Sequence, residues 1–232
     1  MKTMWQREDV TKHYLQQVRG GIPFGAEQAQ IMLQVVNHFT EKPEIIMDLG
    51  CGNGFLGEIL LRTYPKAKAI CIDHSKPMIE QAEIYLKPYA DRCELYVRDF
   101  SMSIKDLVEP NTVDCIVSGF AIHHLTNEMK KTLYTDIYNV LKPGGIFINI
   151  EHTASITREM EELYDELFID YLTAYNKGKR EEIAAEYFSR PDKADNILEH
   201  VDVQVNWLRE IGFNHADCYF KWMELAVFGG VK

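Results

Sequence analysis

The chain has 232 residues, 46% of them hydrophobic, and its 35 acidic against 25 basic side chains give a formal net charge of −10. That length and apolar content suit one compact domain with a real core. No run approaches the roughly 18 continuous apolar residues of a membrane helix, and the acidic balance weighs against a surface that neutralises nucleic-acid phosphates.

In chain order, the start Met1-Lys-Thr-Met-Trp-Gln-Arg-Glu-Asp-Val10 is polar and lacks the apolar segment of a secretion signal. Helices are expected over 7–19 and 25–39, separated by the Gly20–Gly25 turn and stopped by Pro43. A short apolar strand over 44–48 runs into Asp48-Leu-Gly-Cys-Gly-Asn-Gly54 and then a helix carrying Leu56, Ile59 and Leu60. Further strands follow over 68–73, 92–97, 113–118 and 146–150. Ser75 and Pro77 mark one helix start, and Met129, Leu133, Ile137 and Val140 stripe another over 126–141. Strands alternating with helices at this spacing predict βαβ units and a parallel sheet. The runs over 215–220 and 223–231 are joined by too short a connection for anything but antiparallel pairing.

Between these parts lies a helical stretch over about 155–210. Met160, Leu163, Tyr164, Leu167, Phe168, Tyr171, Leu172 and Tyr175 form a wide stripe on it. Plain packing, a cap over a substrate and a dimer face are all open readings, with Tyr171 and Tyr175 as candidate substrate contacts. We expect a single domain: N-terminal helices over 1–40, a cofactor-binding core over 41–150, a helical cap over 151–210 and a β-hairpin over 211–232. Five dispersed cysteines (Cys51, Cys71, Cys93, Cys115 and Cys218) without a CxxC pair read as reduced thiols, which leads us to expect a cytoplasmic chain.

The glycine-rich turn is the strongest local signal. Gly52-Asn-Gly54-Phe-Leu-Gly57 fits GxGxxG after a strand and before a helix, where glycine lets the backbone approach a ligand closely. Asp73 closes the next strand, where a carboxylate can hold both hydroxyls of a ribose. Asp48 beside the turn suits a cationic amino group and is awkward beside a pyrophosphate. Asp99 and Phe100 are placed to meet an adenine edge and face.

Together, Asp48–Gly54, Asp73, Asp99-Phe100, Val113–Ser118 and Leu141-Lys-Pro-Gly-Gly145 resemble the class I S-adenosylmethionine-dependent methyltransferase family. The resemblance implies a Rossmann-like α/β fold: a mostly parallel seven-stranded sheet, an antiparallel C-terminal hairpin and a helical insertion. It implies S-adenosyl-L-methionine as cofactor and S-adenosyl-L-homocysteine as product. Asp48, Gly50, Cys51, Gly52 and Asn53 would hold the methionine end. Asp73, with His74 and Met78 nearby, would hold the ribose, and Asp99 and Phe100 the adenine. Ser118, Gly119 and Phe120 would lie beneath the sulfonium.

Methyl transfer needs alignment and exclusion of water, and a base only when the acceptor must lose a proton. His123 and His124, after the fourth strand, are the candidate bases, with a packing or capping role as the alternative. Glu151 and His152 rank second. No metal site is expected, because adjacent histidines chelate poorly and no third ligand is placed. Ser118-Gly-Phe-Ala121 departs from the Asn/Asp-Pro-Pro-Tyr/Phe pattern of amide and nucleobase amino methyltransferases. The leading expectation is therefore a methyltransferase with a small-molecule acceptor, no nucleic-acid or membrane partner, and a homodimer as the assembly that the aromatic stripe suggests. The chain is also similar to carboxy-S-adenosylmethionine synthase and its relatives at Val18–Phe24, Trp207–Phe213 and Ala226–Gly230. That similarity implies, as the alternative, carboxy-S-adenosylmethionine chemistry serving tRNA wobble-uridine modification, with Arg190 near the position of the family's carboxylate-binding arginine.

Overall fold

The computed structural model describes residues 4–232. Seven strands form one sheet in the order β3-β2-β1-β4-β5-β7-β6. They are β1 (Ile45–Leu49), β2 (Lys68–Asp73), β3 (Cys93–Val97), β4 (Val113–Gly119), β5 (Leu141–His152), β6 (Asn214–Trp222) and β7 (Leu225–Val231). The first five run parallel, and β7 lies antiparallel between β5 and β6. This is the Rossmann-like, mostly parallel sheet with a reversed final hairpin that the sequence leads us to expect. The chain order reverses between β1 and β4, so their carboxyl ends open a crevice at the switch point.

Alternation along the strands decides which helices cover which face. Ile46, Cys115, Val117, Ile146 and Ile148 point to the face covered by α2 (Gly25–Phe39) and α3 (Phe55–Thr63). Ala69 and Cys71 continue that face beneath α4 (Lys76–Tyr85). Met47, Ile72, Ile116 and Phe147 point the other way, against α5 (Asn127–Val140) and α8 (Val201–Ile211). Ser75 and Thr126 cap α4 and α5 by accepting the backbone N–H groups of Met78 and Met129, both at 3.3 Å.

Two elements differ from their sequence pattern. The helix expected over 7–19 is a short α1 (Glu8–His13), a π-helical turn (Tyr14–Val18) and a 3₁₀ turn (Arg19–Gly21). Such local rewinding often marks functional segments, and this one lies across the open end of the sheet. The segment expected as one cap over 155–210 divides in two. Val201, Val205, Trp207 and Leu208 of α8 join the main core, which makes α8 a layer of the domain. Only α6 (Arg158–Asn176) and α7 (Arg180–Ser189) form a separate cluster, through Tyr164, Phe168, Leu172, Ile183 and Tyr187. Among the described residues, no helix is long and apolar enough to cross a membrane.

Candidate active site

The carboxyl ends of β1, β2 and β4 and the loop after β3 converge on a cavity of about 230 Å³. Gly50, Gly52 and Gly54 all have positive φ (66°, 55° and 85°), which β-carbon-bearing residues rarely adopt. A Cβ on Gly50 would lie 2.2 Å from Ala121 Cβ, whereas one on Gly52 would face open space with Met78 Sδ at 3.9 Å. Asp73 pins this turn: its Oδ2 accepts from Gly52 N at 2.9 Å and its Oδ1 from Ser75 N at 2.8 Å. Burial raises the Asp73 carboxyl above its ordinary range against these two N–H groups and His74. Asp99 accepts from Ser101 N at 2.9 Å, and the buried Phe100 ring lies under Gly50.

Of the residues singled out in the sequence, Gly50, Gly52, Asp73, His74, Met78, Asp99, Phe100, Gly119 and Phe120 line this cavity. Ser118 does not. It is fully buried, and its Oγ donates to Leu49 O at 2.7 Å, tying β4 to β1. The Cys51 side chain packs into the core beneath the turn with Leu61 and Ile79, and Cys51 does not line the cavity. Asn53 faces a neighbouring cavity of about 410 Å³, together with Gln28, Phe55 and Tyr175.

Trp5, Tyr14 and Arg19 also line the main cavity; no local motif marks Trp5 or Tyr14, and Arg19 lies in the Val18–Phe24 stretch without a role that the sequence assigns. Trp5 Nε1 donates to His124 Nε2 at 3.1 Å across 119 positions of sequence. Gln6 Nε2 donates to His74 O at 2.5 Å, and Ser75 Oγ donates to Trp5 O. The N-terminal segment is thus a strap over the cavity mouth. Arg19 lines both cavities, with its guanidinium 4.7 Å above the Phe55 ring.

Asp48 lies directly under the turn, 1% exposed. Its Oδ2 accepts from Gly57 N at 2.9 Å, while Oδ1 has no partner among the described residues. Burial pushes its carboxyl up to about 7, against the Gly57 N–H and Arg19. An orphaned acidic oxygen, a turn open at Gly52, the ribose-spaced Asp73 and the Phe100 ring together fit an adenosyl group with a cationic amino acid tail. A stability consequence follows. Between the ordinary value of 3.8 and about 7, the folded chain holds a proton at Asp48 that the unfolded chain has lost. Stability contributed at this site therefore falls as pH rises through that window, by at most about 1.4 kcal/mol per pH unit. In urea unfolding, Asp48→Asn is expected to gain on the parent chain steadily from pH 5 to pH 7. Parallel curves for the two proteins would contradict it.

Beyond Phe120 lies a second chamber of about 60 Å³, lined by His123, His152, Tyr164, Phe168, Tyr187 and Arg190 among others. Phe120 lines all three cavities and sits at φ 53°, a strained position for an aromatic residue. His123 is 7% exposed and held from three sides. Its Nδ1 meets Glu151 Oε1 at 2.5 Å, its backbone N–H donates to Glu151 Oε2 at 3.0 Å, and its carbonyl accepts from Ile197 N at 2.8 Å. Asn149 Nδ2 and His152 N also donate to Glu151, at 3.3 and 2.9 Å. Burial opposes charge on Glu151, but His123 and these donors outweigh it and hold the carboxyl below its usual range.

The two adjacent histidines separate in role. His124 Nε2 already accepts the Trp5 N–H, and burial and the neighbouring His123 hold its pKa well below the ordinary value. It is a neutral tether for the strap, with no lone pair left for a substrate. His123 keeps Nε2 without a hydrogen-bond partner among the described residues. Tyr171 and Tyr175 do not line the chamber. The inward face of α6 carries Tyr164, Phe168 and Leu172, and the two tyrosines stand beside it, Tyr171 against Trp222 and Phe24 and Tyr175 over Gly20. Arg190 does line it, but its guanidinium meets Asp192 Oδ2 at 2.5 Å. Among the described residues, no three His, Cys, Asp or Glu side chains cluster as a metal site.

Residues 46–145 match the family profile described as a methyltransferase domain. The chain is 25% identical over 235 residues to a carboxy-S-adenosyl-L-methionine synthase of Desulforapulum autotrophicum, covering 97% of this chain and 90% of that protein. It superposes with a TM-score of 0.64 on a candidate S-adenosyl-L-methionine-dependent methyltransferase of Methanococcus maripaludis, at 20% identity over 100% of this chain and 95% of that one. A phosphoethanolamine N-methyltransferase 2 of Haemonchus contortus in complex with S-adenosyl-L-methionine gives a TM-score of 0.56 at 18% identity, over 81% of this chain and 37% of that one.

Proposed function

We propose, for a chain built on the class I methyltransferase domain and working with S-adenosylmethionine, that it methylates a hydroxyl group of a small molecule held in the chamber beyond Phe120. The observation that carries this reading is the meeting of the two cavities at Phe120 with the His123–Glu151 pair on the far side. S-adenosylmethionine, when bound, supplies a methyl group on a positive sulfur, and its transfer leaves a neutral thioether. Asp48 and Asn53, whose Oδ1 atoms have no partner among the described residues, would take the methionine ammonium with Gly50 and Gly52. Arg19 would take its carboxylate, Asp73 the ribose, and Asp99 and Phe100 the adenine. His123 Nε2 would receive the acceptor's hydroxyl proton. Glu151 keeps Nδ1 protonated, so the lone pair stays on the nitrogen facing the chamber, and it stabilises the imidazolium that forms. The strap, α6 and α7 keep water away from that transfer.

Relatives named carboxy-S-adenosyl-L-methionine synthase favour a second reading, in which the chain makes a carboxylated cofactor. Such chemistry wants an uncompensated cation in the chamber, and Arg190 is balanced by Asp192. The test is titration of S-adenosylmethionine into the purified chain, with mass spectrometry of any nucleoside that co-purifies. The expected result is saturable binding and plain S-adenosylmethionine or S-adenosylhomocysteine. A folded chain that binds neither would end the first reading, and a carboxylated nucleoside would replace it with the second.

A further inference from the structure

The acceptor chamber carries a second imidazole–carboxylate pair that the proposed transfer does not use. His152 ends β5 opposite Leu225 of β7, and its Nε2 meets Glu224 Oε2 at 2.6 Å. Glu224 is 2% exposed, and its carbonyl accepts from Thr153 N at 2.7 Å and Thr153 Oγ1 at 3.0 Å, so its position is fixed between the strands. The His123 and His152 rings stand 6.0 Å apart at 77°, and both line the same small chamber.

The two pairs share one logic. In each, the nitrogen bonded to the carboxylate keeps its hydrogen, which leaves the lone pair on the other nitrogen. His123 therefore offers Nε2 and His152 offers Nδ1, and neither atom has a hydrogen-bond partner among the described residues. A single hydroxyl satisfies one of them and leaves the other desolvated without a donor, which costs free energy in a closed site. None of the polar side chains that line the chamber is hydrogen-bonded to either atom: Tyr187 Oη donates to Asp165 Oδ1, Tyr14, Tyr164 and Asn196 make no bond to either ring, and the charges of Arg190 and Lys193 are balanced by Asp192 and Asp165.

Resting on the methyl-transfer reading, we propose that the acceptor carries two hydroxyl groups on adjacent atoms. One donates to His123 Nε2 and is methylated. The other donates to His152 Nδ1 and orients the molecule. His152 is thus a positioning residue that reads the second hydroxyl, and Glu224 sets its tautomer. The small size of the chamber and the absence of net charge on its walls point to a small, uncharged diol.

The test is calorimetric binding with S-adenosylhomocysteine saturating, using two matched pairs: ethane-1,2-diol with ethanol, and catechol with phenol. In the parent chain the dihydroxy member of at least one pair is expected to bind roughly 5- to 10-fold tighter, the worth of one satisfied hydrogen bond. The double variant His152→Phe with Glu224→Gln keeps ring volume beside Tyr164 and removes the imidazole and its carboxylate partner together. It is expected to bring that ratio near one, with the loss falling on the diol and not on the alcohol, at a melting temperature close to the parent's. Equal binding within both pairs, no binding by any of the four, or a loss in the double variant shared equally by diol and alcohol would overturn the proposal. Failure of S-adenosylmethionine to bind in the preceding titration would remove the methyl-transfer reading itself, and it is seen separately.

Discussion

His123→Asn is expected to lower kcat roughly 100- to 10,000-fold, the usual worth of a positioned general base. S-adenosylmethionine affinity should stay within about twofold, because the loss falls on the transfer step and not on cofactor binding. The substitution removes Nε2, the only imidazole nitrogen of the His123-His124 pair not already engaged. The backbone anchors to Glu151 and Ile197 do not depend on the ring and remain. Glu151→Gln should act in the same direction through His123. The two N–H groups that converge on each carboxylate oxygen cannot all be met by an amide, which turns an NH₂ group toward one pair. Each of the two buried donors left unmet costs about 1–3 kcal/mol, and the imidazolium loses its counter-charge. A more acidic acceptor needs less help with its proton, so the His123→Asn defect should shrink across a series of acceptors of falling pKa. A kcat within threefold of the parent for every acceptor would show that His123 is a packing residue.

Gly50→Ala is expected to cost about 2–5 kcal/mol of stability and to abolish measurable cofactor binding. Two costs add at one atom. The residue sits at φ 66°, where a β-carbon costs about 1–2 kcal/mol. The new Cβ would also lie 2.2 Å from Ala121 Cβ, an overlap of the kind that costs about 1–3 kcal/mol in a packed site. Relief requires the turn and the Ala121 loop to part, and both are walls of the cavity proposed to hold the cofactor. Gly52→Ala is the internal control. Its φ of 55° carries the same backbone penalty, but its Cβ has no neighbour closer than 3.9 Å and points into the cavity. It should lose affinity with roughly a 2–8 °C fall in melting temperature, at about 2–4 °C per kcal/mol for a chain this long. If Gly50→Ala melts like the parent and binds S-adenosylmethionine, the close approach of the two loops is not what shapes the site.

The aromatic stripe from which a dimer is expected is divided by the fold. Tyr164, Phe168 and Leu172 are spent on the α6–α7 cluster and the chamber wall. Met160, Leu163, Tyr171 and Tyr175 of the stripe remain exposed.

The order of strands and helices, the glycine turn, and the acids at 48, 73 and 99 were all legible in the amino-acid sequence. Each is a local matter: side-chain period, φ preference, and a carboxylate a fixed number of residues past a strand. Sequence alone could also name His123 and His124 together, but it could not tell them apart. That distinction belongs to Trp5, 119 residues away, and to Glu151 on the neighbouring strand. The same holds for the strap, for Arg19, for the pairing of Arg190 with Asp192 inside a chamber, and for α8 as a core layer. Hydrogen-bond partners and burial across long sequence separations are set by how the sheet stacks its strands. Periodicity reports which face of an element is apolar, and only packing decides what that face meets.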